Sequence, residues 1–251
     1  MTIPSFILSL LVCITCFHSV MSKQIMSKAL LKYGSGIVLS GVLTLAAQDT
    51  FRLYGNAGDI PAKHVLEKRN FAATVVKVID GDTVRVRHRR FPFSSGALSS
   101  GKNRKKLSVE TISVRLAAID APETAKFGNA GQPFAQEAFD FVAAKVFGQK
   151  VRVKILSKDQ YGRVVGTVSF REGFLKLAPS DLSLRLLEEG LATVYEGCGV
   201  QYDGRKIVYQ TTEANAKRRA KGLWSSGKVI ESPAEYKRKI KAVAKARSSV
   251  Q

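Results

Sequence analysis

Acidic residues are scarce in this chain, as are histidine and cysteine, and each shortage narrows the functions it can have. Twenty Asp and Glu stand against 40 Lys and Arg in 251 residues, leaving a formal net charge of +20 at pH 7. A chain this basic is drawn to polyanions by counterion release whether or not it reads a base sequence, so nucleic acid and anionic lipid both qualify as partners. Three histidines and three cysteines form no cluster for a soft metal. Cys13 and Cys16 imitate half a zinc site, but no second pair exists and their setting is apolar. Cys198 is alone in the rest of the chain, so no disulfide can form there. This usage fits a reducing compartment or indifference to redox state and selects neither.

Charge is also missing from Ile3 to Met21, a stretch that approaches the length of a membrane span. A signal peptide is the other reading, although no Lys or Arg precedes the apolar run. A second apolar stretch, Gly34 to Ala47, must borrow Gln48 to Leu53, with Asp49 and Arg52, to cross a bilayer. Lys23, Lys28 and Lys32 lie between the two and would hold that side at a cytoplasmic or matrix face. Met21 and Met26 are alternative start sites. The organisation expected is a leader at residues 1–33, an anchor at 34–53, a linker at 54–70, one domain at 71–224 and a basic tail at 225–251. That length suffices for a single domain with a sizeable core.

Within the domain the charges fall at turns. IDGDT spans Ile79 to Thr83, RLAAIDAPE spans Arg115 to Glu123, and DQYGR spans Asp159 to Arg163. Each has an ordinary reading: Asp80, Gly81 and Asp82 as a hairpin turn, Asp120 as a helix cap, Arg115 as a solvated strand residue. Their conjunction suits one reaction. A phosphodiester carries two negative charges in its transition state, and Arg115 and Arg163 can each offer two donors to its oxygens. Asp82, Asp120 and a backbone carbonyl make an oxygen-only site for calcium or magnesium. Glu123 follows Asp120 by three residues with Pro122 between, which excludes a helix interior and lets both carboxylates face one cleft. One would hold an ion while the other takes a proton from water.

Period-two alternation predicts strands over Phe71 to Ile79, Thr83 to Arg87, Thr111 to Ala118, Val151 to Leu156 and Val164 to Phe170. Helices are expected over Pro133 to Phe147, Asp181 to Glu189 and about Arg205 to Lys221, with Gly148 and Gly190 as stops. The result is a mainly β fold with flanking helices around a small five-stranded barrel, for which the oligonucleotide-binding (OB) type is one candidate that strand count alone does not distinguish from other small barrels. Between His88 and Glu110 lies a Ser/Gly- and Lys/Arg-rich insert, whose Arg89, Arg90, Lys102, Arg104, Lys105 and Lys106 either track a nucleic-acid backbone or are merely solvated.

VVKVIDGDTVRV, ISVRLAAIDAPE, KDQYGRVVGTVSF, LLEEGLATVY and AKRRAKGLW resemble the staphylococcal nuclease, or thermonuclease, family from Ala73 to Trp224. The runs DAPETAKFGNAGQPFAQEAF and DQYGRVVGTV are similar to its membrane-anchored fungal mitochondrial members. The resemblance implies that the barrel is of the OB type and that the protein is a calcium-dependent endonuclease that cuts DNA or RNA with little base specificity and leaves 3′-phosphate ends. It implies Arg115, Glu123 and Arg163 as catalytic, Asp82, Asp120 and the Ala121 carbonyl as calcium ligands, and Asp80 behind them. Tyr161 and Tyr195 would lie near the nucleotide. Gly34 to Leu53 occupies the place of the fungal anchor, which favours a mitochondrial membrane over the secretory pathway. Two alternatives stay open: a catalytically silent nucleic-acid-binding module, and a lipid-surface scaffold.

Overall fold

The computed structural model describes residues 53–89, 109–125, 131–172 and 178–225, with residues 235, 236 and 239. The leader, the expected anchor apart from Leu53, most of the basic insert and nearly all of the basic tail lie outside the described residues. Among the described residues no helix is long and apolar enough to cross a membrane.

Alternation along the chain sets the architecture. Strands β1 (Asn70–Asp80), β2 (Thr83–His88) and β3 (Ile112–Leu116) precede a two-residue β4 (Ile119–Asp120). Then come β5 (Lys150–Lys158), β6 (Val164–Arg171), β7 (Pro179–Asp181) and β8 (Thr193–Val194). In β3 the buried residues are Ile112, Val114 and Leu116, while Ser113 and Arg115 are half-buried on the opposite face. Val75, Val84, Val86, Val153, Ile155, Val164 and Val168 fill the same interior. The strand order is β3-β2-β1-β5-β6-β7, and a parallel pairing of β3 with β6 joins the ends into the expected five-stranded barrel. The β5 and β6 backbones approach closely at Gly166, where a β-carbon would fall 2.2 Å from the Lys154 carbonyl oxygen.

Helices α1 (Ala62–Leu66), α2 (Ala135–Val146), α3 (Leu182–Glu188) and α4 (Lys206–Arg218) flank the barrel. Ala135, Ala138, Val142 and Val146 form the buried stripe of α2. This helix starts later than the proline signal predicts, because Phe134 takes a left-handed φ of 64° and leaves Pro133 outside the helix. Asp181 caps α3 as expected, accepting from the backbone N–H groups of Ser183 and Leu184 at 2.9 and 3.4 Å. Its other oxygen accepts from the Tyr209 hydroxyl at 3.1 Å and pairs with Arg205, which ties α3 to α4.

Two expectations need correction. Residues 54–70, read from the sequence as a linker, belong to the fold: a 3-10 turn at Ala57–Asp59 and α1 bring Tyr54, Ile60 and His64 into the interior. The Tyr54 ring stacks on His88, and the Tyr54 N–H donates to His88 Nδ1 at 3.0 Å. Apolar residues here are too widely spaced to display a period, so no pattern announced the packing. Arg89, read from the sequence as one of the insert's cations that either track a nucleic-acid backbone or are merely solvated, is buried and donates to Thr74 Oγ1 at 3.2 Å. It continues the edge of β2, its N–H bonding the Ala72 carbonyl at 2.8 Å.

Candidate active site

Three connections meet at one end of the barrel. The β1–β2 turn supplies Asp82, the end of β3 supplies Arg115, and β4 with the segment after it supplies Asp120 and Glu123. Asp82 and Asp120 are almost completely buried, at 4% and 2% exposure, which is tolerable for carboxylates only when positive charge compensates them. Arg115 provides it. Its Nη2 donates to Asp120 Oδ1 at 2.7 Å and its Nη1 lies 3.3 Å from Asp82 Oδ2. Burial alone would lower the arginine pKa, but the charges of Asp82 and Asp120 outweigh it and raise the value, with Glu123 contributing in the same direction.

The turn that holds Asp82 is packed as well as bonded. Asp82 Oδ1 accepts from the Thr83 hydroxyl at 2.8 Å, and the Asp82 carbonyl accepts from the Leu116 N–H at 2.8 Å. A β-carbon on Gly81 would come within 2.8 Å of the Ala138 methyl and 2.9 Å of the Ala121 methyl. Glycine is therefore required for the turn to sit between α2 and the Asp-Ala-Pro-Glu segment. Asp80 accepts from the Thr124 hydroxyl at 2.7 Å, joining the same two loops from behind. Asp120 lies in β4 and caps no helix, and its carbonyl accepts from the Thr193 hydroxyl at 3.3 Å.

Arg163 and Tyr161 sit on the hairpin between β5 and β6. Asp159 organises that turn, accepting from the backbone N–H groups of Tyr161 and Arg163 and from Arg163 Nε at 2.6 Å. Burial opposes the charged form of Asp159, but these bonds, chiefly those from Arg163, outweigh it and hold its pKa below the usual carboxylate range. The β3–β6 register pairs Arg115 with Val165, so Arg163, two residues earlier, is directed to the same outer face of the barrel. Tyr161 is 74% exposed and its ring lies under the Arg163 guanidinium, 5.5 Å from centroid to Cζ. Tyr195, just beyond β8, comes to the site from another direction, its ring centroid 6.0 Å from Arg115 Cζ.

The structure thus gathers Asp82, Arg115, Asp120 and Glu123, sets Tyr195 beside them, and presents Arg163 and Tyr161 on a neighbouring hairpin. Among the described residues no group of three His, Cys, Asp or Glu side chains could hold a metal ion. A hard cation here would accordingly draw on two carboxylates and a backbone carbonyl. The donor set fits such an ion: all are oxygens, and buried Asp82 Oδ2 receives no hydrogen bond, its contact with Arg115 being one of charge alone. Three supporting residues escaped sequence reasoning: Thr124, Thr193 and Gln132, the last receiving the Glu123 N–H on Oε1 at 3.0 Å. Each acts through backbone or a neighbouring loop, and only the position of Thr124 and Gln132 within the motif-rich run from Asp120 hinted at them.

Comparison with known proteins bears on the same residues. The family described as staphylococcal nuclease homologue matches residues 113–226. A probable endonuclease LCL3 of Verticillium alfalfae is 36% identical over 229 residues, covering 86% of this chain and 77% of that protein. Endonuclease Htp3 of Saprolegnia parasitica is 36% identical over 208 residues, covering 83% of this chain and 94% of its own length. A probable endonuclease LCL3 of Saccharomyces cerevisiae reaches 48% identity over 140 residues, 55% of this chain and 49% of the relative. With the barrel, its closing strand pair and these matches in agreement, the chain belongs to the staphylococcal nuclease homologue family.

Proposed function

We propose that this protein hydrolyses phosphodiester bonds of nucleic acid as an endonuclease, with calcium as its ion. The observation that carries the reading is Arg115, which bridges two buried carboxylates at a barrel rim and still faces outward. Charge concentrated this way is expensive to bury and is unnecessary for a barrel that only holds its fold. Relatives named as endonucleases across most of their length support it.

In this mechanism Arg115 and Arg163 hydrogen-bond the non-bridging phosphate oxygens from two sides and stabilise the charge that grows on them. Glu123 accepts a proton from the attacking water, which enters in line with the departing oxygen. Asp82, Asp120 and the Ala121 carbonyl would hold calcium, which when bound adds positive charge at the phosphate and makes water easier to ionise. Tyr161 and Tyr195 flank the nucleotide, and Asp80 steadies the loop of Glu123 through Thr124. Tethering through Gly34 to Leu53, in a mitochondrial membrane, is part of the proposal on the strength of the family resemblance. Localising tagged forms that start at Met1, Met21 and Met26 tests it, and a secretory signal from the Met1 form would overturn the mitochondrial placement.

The direct test incubates the full chain with single-stranded DNA, duplex DNA and RNA, in calcium and in chelator, beside Glu123→Gln and Arg163→Ala. Loss of a proton acceptor or a charge contact should slow cutting by roughly two to four orders of magnitude. Tight binding without strand cleavage in any lane would leave a nucleic-acid-binding module instead.

A further inference from the structure

We propose that Gln132 is a positioning residue for Glu123, acting through the peptide backbone. This inference rests on the catalytic reading of Glu123 given above. Glu123 belongs to a segment outside any helix or strand, so no ladder fixes its peptide. Gln132 does so twice: its side-chain Oε1 accepts the Glu123 N–H at 3.0 Å, and its own N–H donates to the Glu123 carbonyl at 2.9 Å. Both backbone groups of the proton acceptor are therefore tied to one residue.

The clamp is itself rooted. Gln132 is 8% exposed and stands just before α2, its carbonyl accepting the Ala135 N–H at 3.2 Å. The helix is anchored in the core through Ala138, Val142 and Val146. On the other side of Glu123, the Thr124 hydroxyl holds Asp80 at 2.7 Å, so the residue is braced between the turn that carries Asp82 and the start of α2. A brace of this kind matters more for a proton acceptor than for a charge contact. Electrostatic interaction varies slowly with distance, whereas proton transfer needs heavy atoms at hydrogen-bond separation, and a 1 Å displacement can cost on the order of 100-fold in rate.

Gln132→Leu removes the side-chain acceptor at similar volume and leaves the backbone bond in place. Gln132→Glu keeps an oxygen at the same reach. In the full chain, assayed in calcium well below the thermal midpoint of each variant, Gln132→Leu should lower kcat by roughly 10- to 100-fold with KM within about threefold of the parent. Gln132→Glu should recover most of kcat. The deciding readout is a cycle with Glu123→Gln: once the acceptor is gone, adding Gln132→Leu should cost no further rate. Full additivity in that cycle, or equal loss from both Gln132 variants, would overturn the positioning role. Unimpaired cutting by Glu123→Gln would instead overturn the reading on which it rests.

Discussion

Arg115 faces two carboxylates that are otherwise buried, so it has a structural duty as well as a chemical one. Arg115→Ala should destabilise the protein in chelator by about 3 to 5 kcal/mol, because the positive charge that faces buried Asp82 and Asp120 would be lost. Calcium should restore part of that loss by taking the vacated role, and urea unfolding with and without the ion measures it. An identical deficit under both conditions would argue against those two residues as ligands. His88 makes a second prediction at this scale. Burial lowers its pKa from 6.5 to about 4, and its Nδ1 must stay unprotonated to accept the Tyr54 N–H. The folded state therefore binds fewer protons at His88 than the unfolded chain. Stability should fall as pH drops from about 6.5 towards 4, with the group's full contribution present above that window. His88→Asn, which can still accept from Tyr54 but does not titrate, should flatten this part of the profile of urea midpoint against pH. An unchanged profile would show that other groups set it.

Elements here are joined by a few bonds that can be cut singly. Asp181 caps α3 and also receives Tyr209 from α4 and Arg205 from just before it; burial, reinforced by the Asp181 charge, pushes the Tyr209 phenol up. Asp181→Ala should cost roughly 1 to 3 kcal/mol in thermal or denaturant unfolding, since a helix cap and a buried hydroxyl lose their partner together. Gly166→Ala should be worse than any surface change, its β-carbon meeting the Lys154 carbonyl at 2.2 Å, and should show as loss of cooperative unfolding. What the sequence made legible at this level followed from periodicity and punctuation. The five barrel strands, the face of α2 and the cap of α3 were visible because Val84 and Val86 alternate with Arg85, because apolar residues recur at helical spacing, and because Asp181 precedes an apolar run. The residues carrying charge at the site were visible because their types suit one reaction. The strap at residues 54–66, the two-residue strands and the Gln132 clamp were not, for a common reason: each depends on a partner far along the chain or on the backbone. Neither leaves a local period. The start of α2 was misplaced because a left-handed Phe134 is a tertiary requirement with no signal in its own side chain.

For the molecule as a whole, a net charge of +20 makes salt the simplest probe of substrate association. The apparent affinity for DNA should fall linearly on logarithmic axes as salt rises, by about 10³-fold or more between 50 and 200 mM if six or more phosphates are contacted. A flat response would exclude a backbone-tracking surface. Closure of the barrel has a temporal consequence. Arg115 is fixed against β6 only by residues 164–166, and the Asp120 backbone is paired with Thr193, 73 residues further on. Contacts of such separation form late, after the intervening chain exists. A ribosome that has released Arg115, Asp120 and Glu123 still holds an incomplete site, and stalled or truncated products ending before Thr193 should be inert towards the messenger being translated. The topology thereby leaves the candidate site incomplete until most of its domain has been made.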